Sequence, residues 1–215
     1  MAKSETEKEA EKGDAEDQNS LGVMYELGIS APQDYEKAFN CYKKAAEKAD
    51  ADAQNNLGLM YDLGLGVPQD YQKAHKWYMK AADQDHTKAQ YNLGVIYDIG
   101  QGVTQNYEEA YKWYMKAADK DHTKAQFNLG VMHYYGRDVL QDYEKAFKWW
   151  KKAAEKGHTK AQFNLGVMHN IGLGVTQDYE EAHKWYTKAA EQGHRMAQQH
   201  LKALNNKQGE LKKHD

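Results

Sequence analysis

The chain has 215 residues, a formal net charge of −3 and one cysteine. That length suits one compact domain or one modest repeat array. The charge supplies no global basic field for nucleic acid or an anionic membrane. A lone cysteine, Cys41, allows no intrachain disulfide, and no apolar run approaches the roughly 20 residues of a membrane-spanning helix.

The N-terminal stretch MAKSETEKEAEKGD lacks the apolar segment of a secretory signal. Together with the lone cysteine this favours a reducing, cytoplasmic setting; a periplasmic or secreted one stays open if a leader has been removed. Residues 9–14 align with residues 153–158. Residues 1–14 therefore read as the polar remnant of a second helix, with Glu9 standing for Ala153 and Asp17 for Ala161. A stack needs such a polar outer layer at its end.

Five Leu-Gly pairs follow at a constant step of 36 residues: Leu21-Gly22, Leu57-Gly58, Leu93-Gly94, Leu129-Gly130 and Leu165-Gly166. A fixed period of this length marks a helical array. The units are 15–50, 51–86, 87–122, 123–158 and 159–194. Residues 195–215 read as a capping helix and polar tail, where Lys202 replaces the glycine and the pattern fades.

Each unit predicts two helices. The first spans Lys88 to Gly100 in the third copy, with Ala89, Leu93 and Tyr97 as its apolar stripe. Thr87 with Gln90, and its copies Thr123/Gln126 and Thr159/Gln162, have the spacing of a capping box. Gly100 and Gly102 end the helix, since glycine accepts a left-handed terminus without a Cβ clash. The second helix starts after Asp34, Asp70, Asn106, Asp142 or Asp178, all good N-caps. Its buried face is Tyr107, Ala110, Trp113, Tyr114, Ala117 and Ala118, with Trp77 and its copies as knobs and Cys41 at that position in the first unit. A 36-residue hairpin cannot bury its apolar face alone, so the contact surface must recur, and with it the phrase GLGVPQDYQKAHKWYMKAA at Gly64, which returns as GLGVTQDYEEAHKWYTKAA at Gly172.

The pattern AxAQxNLGxxYxxGxGVxQDYxKAxxWYxKAAxxG, clearest in Ala125 to Gly130 and Gly172 to Tyr179, resembles the Sel-one-like repeat family, a relative of the tetratricopeptide repeat. The resemblance covers roughly residues 9 to 204. It implies an all-α fold, a right-handed superhelical α/α solenoid of antiparallel helix pairs in 36-residue repeats. It also implies a non-enzymatic adaptor or scaffold, often in bacterial signalling, envelope or host interaction. Ser30 and Asp138 replace the second loop glycine, so those two turns are expected to differ in shape.

In such arrays the first helices line a concave groove. Two positions on their outer face vary between units: Asn19/Asn55/Tyr91/Phe127/Phe163 and Glu26/Asp62/Asp98/Tyr134/Asn170. Uniform positions answer a shared packing problem, whereas varying ones are free to meet a partner. The expected partner-binding residues are therefore Asp62, Tyr91, Val95, Asp98, Phe127, Val131, Tyr134, Phe163, Val167 and Asn170, with the aromatics as anchors. Packing between neighbouring helices is the competing reading for Tyr91, Phe127 and Phe163. The expected partner is a protein or peptide segment, with no nucleic acid, no membrane insertion and a monomeric chain.

Other chemistry finds little support in the sequence. His86, His122, His158 and His194 recur every 36 residues, too far apart in a stack of helices about 8–10 Å apart to share one ion. They read as polar residues at helix junctions. His133 and His169 replace the first-helix Tyr with no evident third ligand, so no metal and no cofactor is expected. Serine occurs only at Ser4, Ser20 and Ser30, outside any S-x-x-K or G-x-S-x-G setting. The Gly-x-Gly loops follow helices rather than strands, unlike a dinucleotide site. No catalytic residue is assigned. A hydrolase or ligand-binding protein acting on cell-wall material is the first alternative, and a structural spacer or engineered array without ligand the second.

Overall fold

The computed structural model describes residues 13–30 and 32–211, with side chains to residue 204. Among them are eleven helices and no strand: α1 (Ala15–Leu27), α2 (Tyr35–Glu47), α3 (Ala51–Leu63), α4 (Tyr71–Asp83), α5 (Thr87–Ile99), α6 (Tyr107–Asp119), α7 (Thr123–Tyr135), α8 (Tyr143–Glu155), α9 (Thr159–Ile171), α10 (Tyr179–Glu191) and α11 (Arg195–Leu211). The expected polar remnant at residues 1–12, Glu9 included, lies outside the described residues. Contacts separate the chain into two units, Met1–Ala117 and Ala118–Asp215.

Each repeat is a hairpin of two 13-residue helices, clamped at its loop in the same way. In the opening phrase, Gln69 reaches back and its Nε2 donates to the Asp62 carbonyl at 2.7 Å. Its copies Gln33, Gln105, Gln141 and Gln177 donate to residues 26, 98, 134 and 170 at 2.6–2.9 Å. The next residue, Asp70, donates its N–H to the Tyr61 carbonyl at 2.9 Å and caps α4 by accepting from Lys73 N–H. The Gln-Asp pair thus satisfies carbonyls orphaned at the end of one helix and starts the next.

The first-helix starts depart from the capping-box expectation. Thr87, Thr123 and Thr159 are the first helical residues, and the caps are the histidines before them. Nδ1 of His86, His122 and His158 accepts from the N–H three residues on, at 3.1–3.3 Å. Asp50 fills the same place before α3, and Asp14 with Asp17 forms a true capping box on α1. The expected partner Gln points inward instead. Gln54, Gln126 and Gln162 donate to the carbonyls of Ala46, Ala118 and Ala154 at 3.1–3.4 Å, closing the end of the preceding second helix.

The invariant alanines are close-contact points, with Ala38, Ala74, Ala110, Ala146 and Ala182 all at 0 % exposure. The Leu column is buried as read, while Tyr97 is half-buried and a further core column, Met60, Ile96, Met132 and Met168, joins it. The glycine after each Leu lies under a ring. A Cβ at Gly58 would stand 2.7 Å from Cδ1 of Tyr78, and Gly22, Gly94, Gly130 and Gly166 meet Tyr42, Tyr114, Trp150 and Tyr186 in the same way. These five rings are the large wedges of the hairpins. The Trp column sits nearer the surface. Trp113 and Trp185 are buried and Trp77 and Trp149 half-buried, each capped by a Lys ammonium 3.9–4.4 Å from the ring centroid. The Ser30 and Asp138 turns keep the glycine conformation, with φ of 65° and 55° beside 66–73° at Gly66, Gly102 and Gly174.

Candidate functional site

In unit 1 the two varying columns are largely engaged within the chain. Asn56 Nδ2 donates to Asn19 Oδ1, and Asn92 Nδ2 to Asn55 Oδ1, both at 3.1 Å, so carboxamides tie successive first helices together. The acids stand against the buried wedge tyrosines. Tyr42 Oη donates to Glu26 at 2.5 Å and Tyr114 Oη to Asp98 at 3.2 Å. Asp62 faces Tyr78; burial raises the Asp62 carboxyl, and burial together with the Asp62 charge raises the Tyr78 phenol far above its ordinary value. Tyr91 tilts against Tyr114 with centroids 6.0 Å apart, and Val95 is half-buried.

In unit 2 one wedge changes, and neither facing position keeps an acid. Trp150 replaces Tyr, and its indole Nε1 donates to the Phe127 carbonyl at 3.1 Å, leaving no hydroxyl for an acid to accept from. Tyr134 takes the acid's place and packs on Trp150 at 5.2 Å. Opposite Tyr186 the acid becomes Asn170, while the Tyr186 hydroxyl bonds His200 Nδ1 at 3.2 Å; burial pushes this phenol up to about 12. The acids of the second column therefore answer to an internal partner, and the acid is absent where the wedge lacks a hydroxyl, at Trp150, or bonds elsewhere, at Tyr186, a coupling invisible to a column-by-column reading.

A cavity of about 270 Å³ lies on the first-helix face of unit 2, lined by Phe127, Val131, Tyr134, Tyr135, Trp150, Phe163, Asn164, Val167 and Met168. It brings together five sequence-assigned residues, Phe127, Val131, Tyr134, Phe163 and Val167. Asn170 is half-buried outside the lining. Sequence reasoning missed Trp150, Tyr135, Asn164 and Met168. The signal for Trp150 was its departure from an otherwise invariant Tyr column.

Phe127 and Phe163 are partly packed as well as partly open: His158 stacks on Phe127 at 4.4 Å and His194 on Phe163 at 4.6 Å. Tyr135 is 63 % exposed. No carboxylate, imidazole, thiol or ammonium lines the cavity, so the polar chemistry it offers is two phenols, an indole N–H already engaged, and one carboxamide.

The other histidines serve packing. His169 meets the Phe147 ring edge-on at 5.3 Å, and Nε2 of His75 lies 3.0 Å from Tyr97 Oη. Burial holds the imidazoles of His75, His133, His158 and His169 below their ordinary range. Among the described residues no group of three or more His, Cys, Asp or Glu is placed to hold a metal ion.

A family model for the Sel1 repeat matches residues 15–50, 51–86, 87–122, 123–158 and 159–194. The chain belongs to the Sel1 repeat family. Solved structures agree. A protective antigen of uropathogenic Escherichia coli displaying an SLR fold is 38 % identical with a TM-score of 0.86, over 89 % of this chain and 41 % of that one. A Sel1 repeat protein from Oxalobacter formigenes is 35 % identical with a TM-score of 0.81, over 87 % of this chain and 75 % of that one. A putative Sel1 repeat protein from Klebsiella pneumoniae, 23 % identical with a TM-score of 0.58 over 94 % and 98 % of the two chains, shares the fold. The chain thus spans 41 % of the length of the E. coli antigen. No curated protein matches. The all-α array of helix hairpins read from the 36-residue period is the Sel1 repeat arrangement.

Proposed function

We propose that this chain is a non-enzymatic adaptor that binds an extended peptide or protein segment on its first-helix face. Sel1 repeat proteins generally mediate protein–protein interaction, and the repeat is typically a non-enzymatic scaffold. The observation that carries the reading here is the aromatic cavity of unit 2. Its volume of about 270 Å³ falls below the roughly 300–1,000 Å³ of small-molecule sites and suits one or two side chains of a partner. Large rings around such a cavity provide contact area at little rotamer cost. Phe127, Val131, Tyr134, Phe163 and Val167 form the anchor. On unit 2 Asn170 offers a further contact; on unit 1, taken by itself, the contact residues are Tyr91, Val95, Asp62 and Asp98. The chain acts as a monomer in this reading, and no described helix is long and apolar enough to cross a membrane.

The test is selection of a displayed library of random 12-residue peptides on the full chain, followed by titration of the selected peptides against Tyr135→Ser. Tyr135 is the exposed ring of the lining, so its removal leaves the fold intact by circular dichroism and weakens binding by about tenfold, the usual effect of losing an interface aromatic. Absence of selected peptides, or equal binding to wild type and Tyr135→Ser, refutes the assignment.

A further inference from the structure

We infer that His158 is a proton-operated latch on the unit 2 cavity: the neutral imidazole caps α9 while holding the Phe127 ring in the cavity wall, and a second ring proton releases both. This rests on the groove reading and adds its regulation: a partner held at neutral pH is let go in acid.

The first observation is that one ring serves both cap and wall. His158 Nδ1 accepts from the Ala161 N–H at 3.2 Å, so the single proton of the neutral ring sits on Nε2. The same ring lies on Phe127, with centroids 4.4 Å apart and planes 22° apart. Phe127 stacks in turn with Trp150 at 6.3 Å and lines the cavity. An imidazolium carries N–H on both nitrogens. Protonation therefore removes the acceptor, sets N–H against N–H, and places a positive charge at the positive end of α9. Turning the ring over about Cβ–Cγ offers Ala161 only a carbon, so no orientation of the cation restores the cap. A cation is attracted to the face of Phe127, but that one contact stands against the helix end and the opposed N–H, and the charged ring moves to water.

The second observation is that equivalent histidines have different surroundings. His86 in unit 1 caps α5 in the same way, with Nδ1 accepting from the Ala89 N–H at 3.1 Å. Its Nε2 lies 2.9 Å from an Asp52 carboxylate oxygen, which favours a charged ring, and Asn55 stands where Phe127 stands in unit 2. At His158 the place of Asp52 is taken by Lys124 on α7. Burial, with the charges of Lys160 on α9 and of Lys124, holds the His158 imidazole below its ordinary range. The ammonium of Lys156, in the turn before it, is paired with Asp121. The cap is therefore intact above the ordinary histidine value of about 6.5 and is lost as the pH falls below it toward the folded value. Once charged, the ring is repelled by Lys124 and Lys160 together.

Nuclear magnetic resonance of the full chain tests the latch without a ligand. At about pH 7.5 the His158 ring should show the Nε2–H tautomer, and between about pH 7 and 5 its signals should shift with the same midpoint as the Ala161 amide and the Phe127 ring. His158→Asn keeps a cap acceptor that takes up no proton, so in that variant, folded by circular dichroism, the Ala161 amide should not move over this range. The ligand probes are displayed-library peptides lacking Asp, Glu and His, which do not titrate here themselves. They should bind wild type about tenfold more weakly at about pH 5 than at about pH 7.5, the size of one lost helix cap, and His158→Asn by about threefold or less. An Ala161 or Phe127 midpoint apart from that of His158, or an equal acid loss of binding in His158→Asn, overturns the inference. Peptides that weaken on Tyr135→Ser and are indifferent to pH refute the latch alone and leave the groove reading standing. Absence of selected peptides refutes the groove reading and, with it, the regulation of a partner.

Discussion

Replacing Gly58 with Ala tests the packing that sets the repeat. Gly58 lies inside α3, where Ala normally stabilises a helix over Gly by about 0.5–1 kcal/mol. Here the added Cβ would stand 2.7 and 2.8 Å from Cδ1 and Cε1 of Tyr78. Carbon atoms settle about 3.5–4.0 Å apart, so the ring would have to recede by roughly 0.8 Å. Tyr78 is 1 % exposed, so the ring is packed on all sides and has little room to recede. Overpacking of this kind costs about 1–3 kcal/mol, and after the helix gain a net loss of up to about 2.5 kcal/mol is expected. Urea unfolding followed by circular dichroism measures it. In a Tyr78→Ala background the same change should reverse sign, since the obstructing ring is gone. A Gly58→Ala protein more stable than wild type would refute the account of why every first helix carries Leu-Gly.

Two further outcomes follow from the histidines. His122→Ala removes an N-cap acceptor and should cost about 1 kcal/mol in urea unfolding, while His122→Asp, the residue type found at Asp50, should restore or exceed wild-type stability. Acid should destabilise the fold through His75, His133, His158 and His169, whose folded-state values burial holds below the ordinary one. Their contribution is complete above the unfolded histidine value of about 6.5 and is lost as the pH falls below it toward the folded values. The urea midpoint should accordingly drop between about pH 7.5 and 5, and the drop should shrink in His133→Tyr/His169→Tyr, which restores the residue used in the other repeats.

The relation between sequence and structure is clearest where rules are local. Asp34, Asp70, Asp142 and Asp178 cap the second helices as the sequence predicts, and Gly64, Gly100 and Gly172 end the first helices with positive φ, because caps act within four residues along the chain. The Thr capping box failed for a local reason too. The imidazole of His86 caps one residue earlier, accepting from the Ala89 N–H, and the expected reciprocal Gln turns inward to bond a carbonyl eight residues before it, as Gln126 bonds Ala118.

The candidate site was half legible. Aromatic drift along one column pointed to Phe127 and Phe163, and both line the cavity. Yet variation had been read as freedom, and at Glu26 and Asp98 it reflects an internal partner, the hydroxyl of Tyr42 or Tyr114 sixteen residues on. Nothing in helical periodicity links those positions, because they face each other across a hairpin.

The amino-acid order by itself determined the 36-residue period, the hairpin boundaries and the small-residue seams, since each follows from dihedral preference, capping and burial along a single helix. Only the tertiary structure decided which half-polar side chains were already paired. It placed Trp150 where a tyrosine would have claimed an acid, and laid the His158 ring on Phe127. Such assignments depend on distances between helices, which no spacing within one helix encodes.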